Sequence, residues 1–142
     1  TSGGESKAVG VLKDDLQKQG YVWKDFAVAG GAGAAAMTAL KTSGKPVMLD
    51  FYADWCVSCK EMEHLTFTDA RVQARLAQLH LVRADVTANN PDDQALLKRF
   101  NLFGPPGIIF FDRGGNEIGR VVGYQAAETF LRSLDRAAVP TV

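Results

Sequence analysis

The chain holds two thiols, three residues apart in Trp55-Cys56-Val57-Ser58-Cys59-Lys60. On a helix, residues at this spacing share a face one turn apart, which brings their Cα atoms within disulfide reach. They sit where an apolar run, Pro46 to Ala53, hands over to a predicted helix. A helix N-terminus offers unpaired N–H groups and partial positive charge, and both favour a thiolate at the first position. Cys56 is therefore expected to be the more exposed, attacking sulfur, and Cys59 the resolving one. Two other uses compete with this. A structural bridge over so short a loop removes little entropy from the unfolded chain. A redox-inactive zinc or protein-binding module would need His64, His80 or carboxylates to complete the ligand set, and neither histidine has a clear ligand spacing. Dithiol–disulfide exchange is the chemistry these residues favour.

Acidic residues flank the pair. Asp50 is the one charge inside the run Val47 to Ala53, and a buried carboxylate without a partner or a task is costly. The competing reading is a strand-end aspartate facing solvent. Glu63 lies four residues after Cys59 and seven after Cys56, on the same helix face. From the residues alone it reads equally well as an ordinary solvated glutamate. The helix dipole lowers the Cys56 pKa by an interaction of ~0.3–1 kcal/mol, while burial and nearby anions raise it. Two carboxylates in a poorly solvated pocket outweigh the dipole, so Cys56 is expected to be mostly protonated at neutral pH. Asp50 is then a proton acceptor or donor for Cys59. Strong disulfide oxidants stabilise their reduced thiolate. Here no histidine separates the cysteines and the neighbours are acidic, so electron donation is the expected direction.

The elements that must hold these groups follow from patterning. Tyr21 to Ala29 reads as a strand and the Ala-rich residues 32–41 as a helix. Pro46 to Ala53 is apolar enough for a central strand buried on both faces. A helix from Cys56 should break near Thr66 to Asp69 and resume with Val72, Leu76 and Leu79. Leu79 to Val86 is a further strand. Asn90-Pro91-Asp92-Asp93 is a helix start, with an N-cap, proline at the first position and acids facing the dipole. Ile108 to Phe111 and Glu117 to Val122 flank the hairpin turn Asp112 to Asn116. Ala127, Phe130, Leu131 and Leu134 fall at helical spacing. The order is β-α-β-α-β-α-β-β-α, an α/β domain whose parallel core sheet gains an antiparallel edge from the hairpin.

Composition narrows the alternatives. The 142 residues suffice for one domain with a core. Sixteen basic residues balance sixteen acidic ones, which argues against a nucleic-acid or anionic-membrane partner. The longest uncharged stretch, Phe26 to Leu40, falls short of the ~20 apolar residues of a membrane span. Residues Thr1 to Lys7 read as linker within an N-terminal extension, residues 1–20, before a domain over residues 21–142. The opening Thr1 suggests a piece of something longer.

The segment Asp50 to Lys60 (DFYADWCVSCK) resembles the active-site segment of the thioredoxin superfamily. GKPVMLDFYADWCVSCKEMEHLTF from Gly44, ADVTANN from Ala84 and LLKRFNLFGPPGIIFFD from Leu96 are similar to the C-terminal periplasmic domains of the DsbD family of thiol:disulfide interchange proteins. The resemblance covers about Phe26 to Leu134. It implies a thioredoxin fold, a central mixed sheet flanked by helices, with no cofactor beyond a redox-active Cys56–Cys59 disulfide. It also implies acids beside the active site at Asp50 and Glu63. The implied activity is a relay that takes electrons from a membrane-embedded domain and passes them to an N-terminal immunoglobulin-like domain of the same protein. From there they reach periplasmic disulfide isomerases and cytochrome c maturation proteins. A stand-alone thioredoxin-like disulfide reductase with other clients is the alternative. The domain itself is expected to be a periplasmic monomer that does not enter the inner membrane.

In Phe103-Gly104-Pro105-Pro106-Gly107 the resemblance places Pro106 at the cis-proline that faces the cysteine pair. Pro105 departs from the family pattern, since it lacks the N–H that commonly pairs with a bound substrate strand. Trp55, Val57, Pro105, Pro106, Gly123 and Tyr124 are expected to form an apolar rim around Cys56 suited to transient protein docking; ordinary core packing is the alternative for Trp55 and Tyr124. A different class of protein is suggested by Gly31 to Ala36, which fits a dinucleotide fingerprint with Asp50 about 20 residues on. The chain is short for the two mononucleotide halves such folds use.

Overall fold

The structure is a computed structural model and describes residues 23–26 and 44–137. The predicted linker, the helix over 32–41 and the glycine-rich stretch Gly31 to Ala36 lie outside the described residues. Within the first expected strand the structure describes β1, Trp23–Phe26. The remaining strands are β2 (Val47–Tyr52), β3 (His80–Asp85), β4 (Gly107–Phe111) and β5 (Glu117–Val122). They form one sheet in the order β1-β3-β2-β4-β5. β3 runs parallel to both β1 and β2, while β4 is antiparallel to β2 and to β5. The hairpin thus joins through β4, an interior strand, and of its two strands β5 is the one at an edge of the sheet.

Period-two alternation sorts the strand residues onto two cores. Met48, Leu81, Ile108 and Phe110 join Met62, Phe67, Leu76, Phe130 and Leu134 on one side. Val47, Leu49, Phe51, Val82, Ile109 and Phe111 join Leu96, Leu97 and Phe100 on the other. All six β2 residues are buried. That double burial explains why this strand reads as a continuous apolar run.

Among the described residues, four α-helices cover the faces: α1 (Val57–Glu61), α2 (Ala70–Leu76), α3 (Pro91–Arg99) and α4 (Ala127–Arg136). The helix from Cys56 continues beyond α1 as a π turn over Met62–Thr66, closed by Phe67 N–H donating to Met62 O at 2.8 Å. Sequence spacing predicts the break that follows but not the π turn itself. Asp69 then caps α2 by accepting from Arg71 and Val72 N–H. Asn90 and Asp93 form a reciprocal capping box at α3, with Pro91 in the first turn, as its opening residues predict.

Candidate active site

β2 ends at Tyr52, and a short turn delivers Cys56 as the N-cap of α1. Cys56 and Cys59 are joined in a disulfide, with their Cα atoms 5.3 Å apart. The expected contrast in exposure is slight, 6% for Cys56 against 4% for Cys59, because both sulfurs pack into the core cluster around Phe51. Hydrogen bonding separates them instead. Cys56 Sγ accepts the Cys59 N–H at 3.1 Å, an arrangement that stabilises negative charge on that sulfur. Cys59 Sγ lies 3.9 Å from the Phe51 carbonyl, whose oxygen disfavours an anion there. The asymmetry comes from backbone geometry, which spacing alone conveys only in outline.

The turn before Cys56 is fixed by the segment after β3. Asp54 N–H donates to Thr87 Oγ1 at 2.9 Å, and Trp55 Nε1 donates to Thr87 O at 2.9 Å. Thr87 is itself held by Asp85, whose Oδ1 accepts from the Thr87 N–H at 2.8 Å. The ADVTANN segment therefore acts as a clamp on the cysteine turn. Its Thr87 carries two contacts that the sequence reading did not single out.

Asp50 and Glu63 are both buried, and they meet at a residue the sequence reading missed. Arg83 of β3 is 3% exposed. Its Nη2 donates to Asp50 Oδ2 at 2.9 Å and is also ion-paired to Glu63 Oε1. The guanidinium carbon lies 4.5 Å from the centre of the Tyr52 ring, a cation–π placement. Asp50 and Arg83 are register partners on the parallel strands β2 and β3, so their side chains leave the same face. Glu63 reaches them from the π turn. A guanidinium thus stands between the two carboxylates, a counter-charge that the sequence patterning did not mark. The solvent-facing readings of Asp50 and Glu63 fall, because both are buried. The Asp50 carboxylate, which the dinucleotide fingerprint would also need, is committed to the buried cluster.

Burial dominates the electrostatics here. It raises Asp50 above its ordinary range, with Arg83 pulling the other way. Burial likewise pushes Glu63 to about 7, opposed by Arg83 and Lys60 and assisted by the charge of Asp50.

The six expected rim residues separate into two groups. Trp55 and Val57 are exposed, at 55% and 71%, beside the disulfide in sequence. Pro105, Pro106 and Gly123 are half-buried, and Tyr124 is exposed. The Pro105–Pro106 peptide is cis, the geometry implied at Pro106. Pro106 O accepts the Gly123 N–H at 3.1 Å, and Gly123 has φ +87°, a conformation that favours glycine. The next residues are tied back to the π turn, with Gln125 N–H directed at Met62 Sδ and Thr66 Oγ1 donating to Gln125 O. The proline loop and the Gly123 bend are thereby linked to each other, and the bend to the cysteine helix. Leu65, Phe103 and Val122 are further exposed apolar side chains outside the expected set. Among the described residues, no three His, Cys, Asp or Glu side chains gather as a metal site, and no helix is long and apolar enough to cross a membrane.

A parallel-cored mixed sheet with a disulfide at the N-terminus of the helix after its central strand defines a thioredoxin-type disulfide oxidoreductase. The thioredoxin-like domain family matches residues 34–138. The chain is 68% identical over 103 residues to the thiol:disulfide interchange protein DsbD of Ralstonia nicotianae, a match spanning 72% of this chain and 17% of that protein. The oxidised DsbD C-terminal domain of Neisseria meningitidis superposes with a TM-score of 0.63 at 39% identity, covering 73% of this chain and 94% of that one. A thioredoxin from Thermus thermophilus shares the fold, with a TM-score of 0.64 at 24% identity over 82% of this chain and 86% of that one. The chain belongs to the thioredoxin-like domain family and, within it, to the DsbD C-terminal domains. It spans about a sixth of the length of the DsbD relative it matches.

Proposed function

We propose that the chain is the periplasmic C-terminal domain of a DsbD-type inner-membrane protein, relaying electrons by dithiol–disulfide exchange. Cys56 attacks and Cys59 resolves. The donor is a membrane-embedded domain of the same protein, and the acceptor is its N-terminal immunoglobulin-like domain. The observation that carries this reading is the unequal bonding of the two sulfurs, an N–H on Cys56 and a carbonyl oxygen beside Cys59. In the reduced protein that difference makes Cys56, the sulfur at the helix N-terminus, the easier of the two to ionise. It attacks although mostly protonated at neutral pH, while Cys59 keeps its proton. No cofactor beyond the disulfide is required.

Asp50 and Glu63 serve as the proton acceptor and donor for Cys59. Trp55, Val57, Pro105, Pro106, Gly123 and Tyr124 form the docking rim, with the domain acting as a monomer. Residues 1–20 connect it to the rest of the protein, and the folded unit begins near Tyr21. The acidic neighbours and the spacer without histidine favour the reductase direction.

Equilibration of the Cys56–Cys59 couple against thiol buffers tests the proposal. A potential below about −200 mV is expected for an electron donor. One near about −120 mV makes the domain an oxidant and reverses the direction. Absence of any reversible couple removes the exchange reading altogether.

A further inference from the structure

Arg83 is a full positive charge in the interior of a small domain. Simple packing would place an aliphatic residue there, since Leu81, two residues earlier on the same face of β3, joins the core cluster. A lone ion pair would need one carboxylate, yet Arg83 Nη2 takes two, Asp50 from the neighbouring strand and Glu63 from the π turn. Glu63 lies one turn beyond Cys59 on the same helical segment. Asp50 directly precedes Phe51, whose carbonyl oxygen lies 3.9 Å from Cys59 Sγ. The guanidinium thus draws together an acid next to Phe51 in the strand and an acid one helical turn from Cys59, and binds both through one nitrogen.

We propose that Arg83 is a positioning residue for the exchange reaction, holding Asp50 and Glu63 as one acid pair behind Cys59 that takes the Cys59 proton when that sulfur attacks. The inference rests on the exchange reading above. In the step concerned, Cys56 is joined to a partner sulfur in a mixed disulfide and Cys59 is a thiol. The Cys59 proton passes to the carboxylate pair, and the thiolate attacks Cys56 Sγ. The Cys56–Cys59 bond forms as the bond to the partner breaks. The partner sulfur leaves as a thiolate and is protonated by solvent. The two cysteines are oxidised, and the partner is reduced by two electrons. The reverse step returns the proton to Cys59.

The charges agree with this assignment. With both acids ionised, the triad carries one net negative charge, and accepting one proton makes it neutral. That is the favoured state of a buried site. The groups acting on Glu63 are Arg83, Asp50 and Lys60, and in the disulfide form its carboxyl sits at about 7, able to hold or release a proton near neutrality. Without the guanidinium, neither carboxylate has a buried counter-charge and both ionise only at higher pH.

The test is the pH–rate profile for oxidation of the reduced chain by glutathione disulfide. The oxidant is raised until the rate no longer depends on it, so that closure of the Cys56–Cys59 bond is observed. The wild-type rate is expected to rise with pH through about 7. Arg83→Met should move that limb upward by a unit or more, lowering the rate at pH 7 by at least about fivefold. Arg83→Lys should bring the limb back toward its wild-type position. Should Arg83→Met not fold, Glu63→Gln carries the test, because it should abolish the limb near 7 with Arg83 and Asp50 still paired. A purely structural Arg83 would lower the melting temperature and leave the profile in place. Limbs unmoved in Arg83→Met overturn this inference alone. Limbs unmoved in Glu63→Gln, where Arg83→Met does not fold, overturn it together with the proton role of Glu63 and leave the exchange reading standing. A wild-type chain that does not exchange at all overturns the functional reading, and this inference with it.

Discussion

Two arginines in this domain each bridge a pair of carboxylates, one at the surface and one in the core. Arg71, at the start of α2, is ion-paired to Asp69 and to Glu128 in the first turn of α4. Its side chain is 55% exposed, whereas that of Arg83 is 3% exposed. The charge arrangement is the same and the consequence is opposite. Asp69 is held below the usual carboxylate range, chiefly by its hydrogen bond from Arg71. Asp50 and Glu63 are raised, because burial outweighs the arginine beside them. Water at the surface lets each carboxylate stay an anion. In the core, one arginine does not compensate two desolvated carboxylates, so a proton is retained. Burial, rather than the presence of a cationic partner, decides whether such a group is a fixed charge or a proton carrier.

The largest expected difference between the two sites is in stability. Removing one member of a buried ion cluster leaves uncompensated charge and typically costs about 3–5 kcal/mol. Arg83→Met should therefore lower the urea midpoint of the disulfide form sharply. The combined Asp50→Asn, Glu63→Gln, Arg83→Met variant should recover much of that loss, since neutral groups need no counter-charge. Arg71→Ala should shift the midpoint little, because exposed pairs are screened and solvated. Equal losses for Arg83→Met and Arg71→Ala would break the comparison.

The sequence makes one half of the core site conspicuous and leaves the other half unmarked. Asp50 stands out as a charge in an apolar run, and the same signal is present at Arg83, inside Leu79 to Val86. Linking them requires knowing that β2 and β3 are adjacent and in register at these two residues, which is a tertiary fact. Glu63 is ambiguous at the level of spacing because its burial depends on the π turn, which local patterning does not announce. The strand and helix order is legible because most described strands are buried on both faces and α2 and α3 carry side-chain caps. The near-equal burial of the two cysteines is not legible, since it reflects packing around Phe51 rather than position on the helix.

A smaller effect concerns pH and sharpens the contrast at Glu63. Its carboxyl sits at about 7 in the folded chain against an ordinary 4.5. Between those values the folded chain binds more protons than the unfolded one. The contribution of this group to stability is full below pH 4.5 and is lost as the pH rises through 7. The urea midpoint of the disulfide form should accordingly fall across this window. Glu63→Gln should flatten the decline, leaving only what Asp50 contributes with the same sign. A wild-type midpoint that is constant over the window would show that the core carboxylates are ionised throughout.

The surface site should give the smallest signal, and its sign is reversed. Asp69 is lowered from an ordinary 3.8, so here the unfolded chain binds more protons than the folded one as the solution is acidified. Its contribution is present above pH 3.8 and is lost as the pH falls through the depressed folded value. Asp69→Asn keeps a side-chain oxygen able to cap α2 and removes only the charge that Arg71 and the helix N-terminus attract. The variant should lose a small amount of stability at pH 7 and nothing at strongly acidic pH, with a weaker effect in high salt. Melting curves of the variant and wild type at pH 2, 5 and 7 measure this directly. If Asp69→Asn instead lost most of its stability at acidic pH, the surface acid would be behaving like the core pair. Solvent exposure would then not be what separates the two arginine sites.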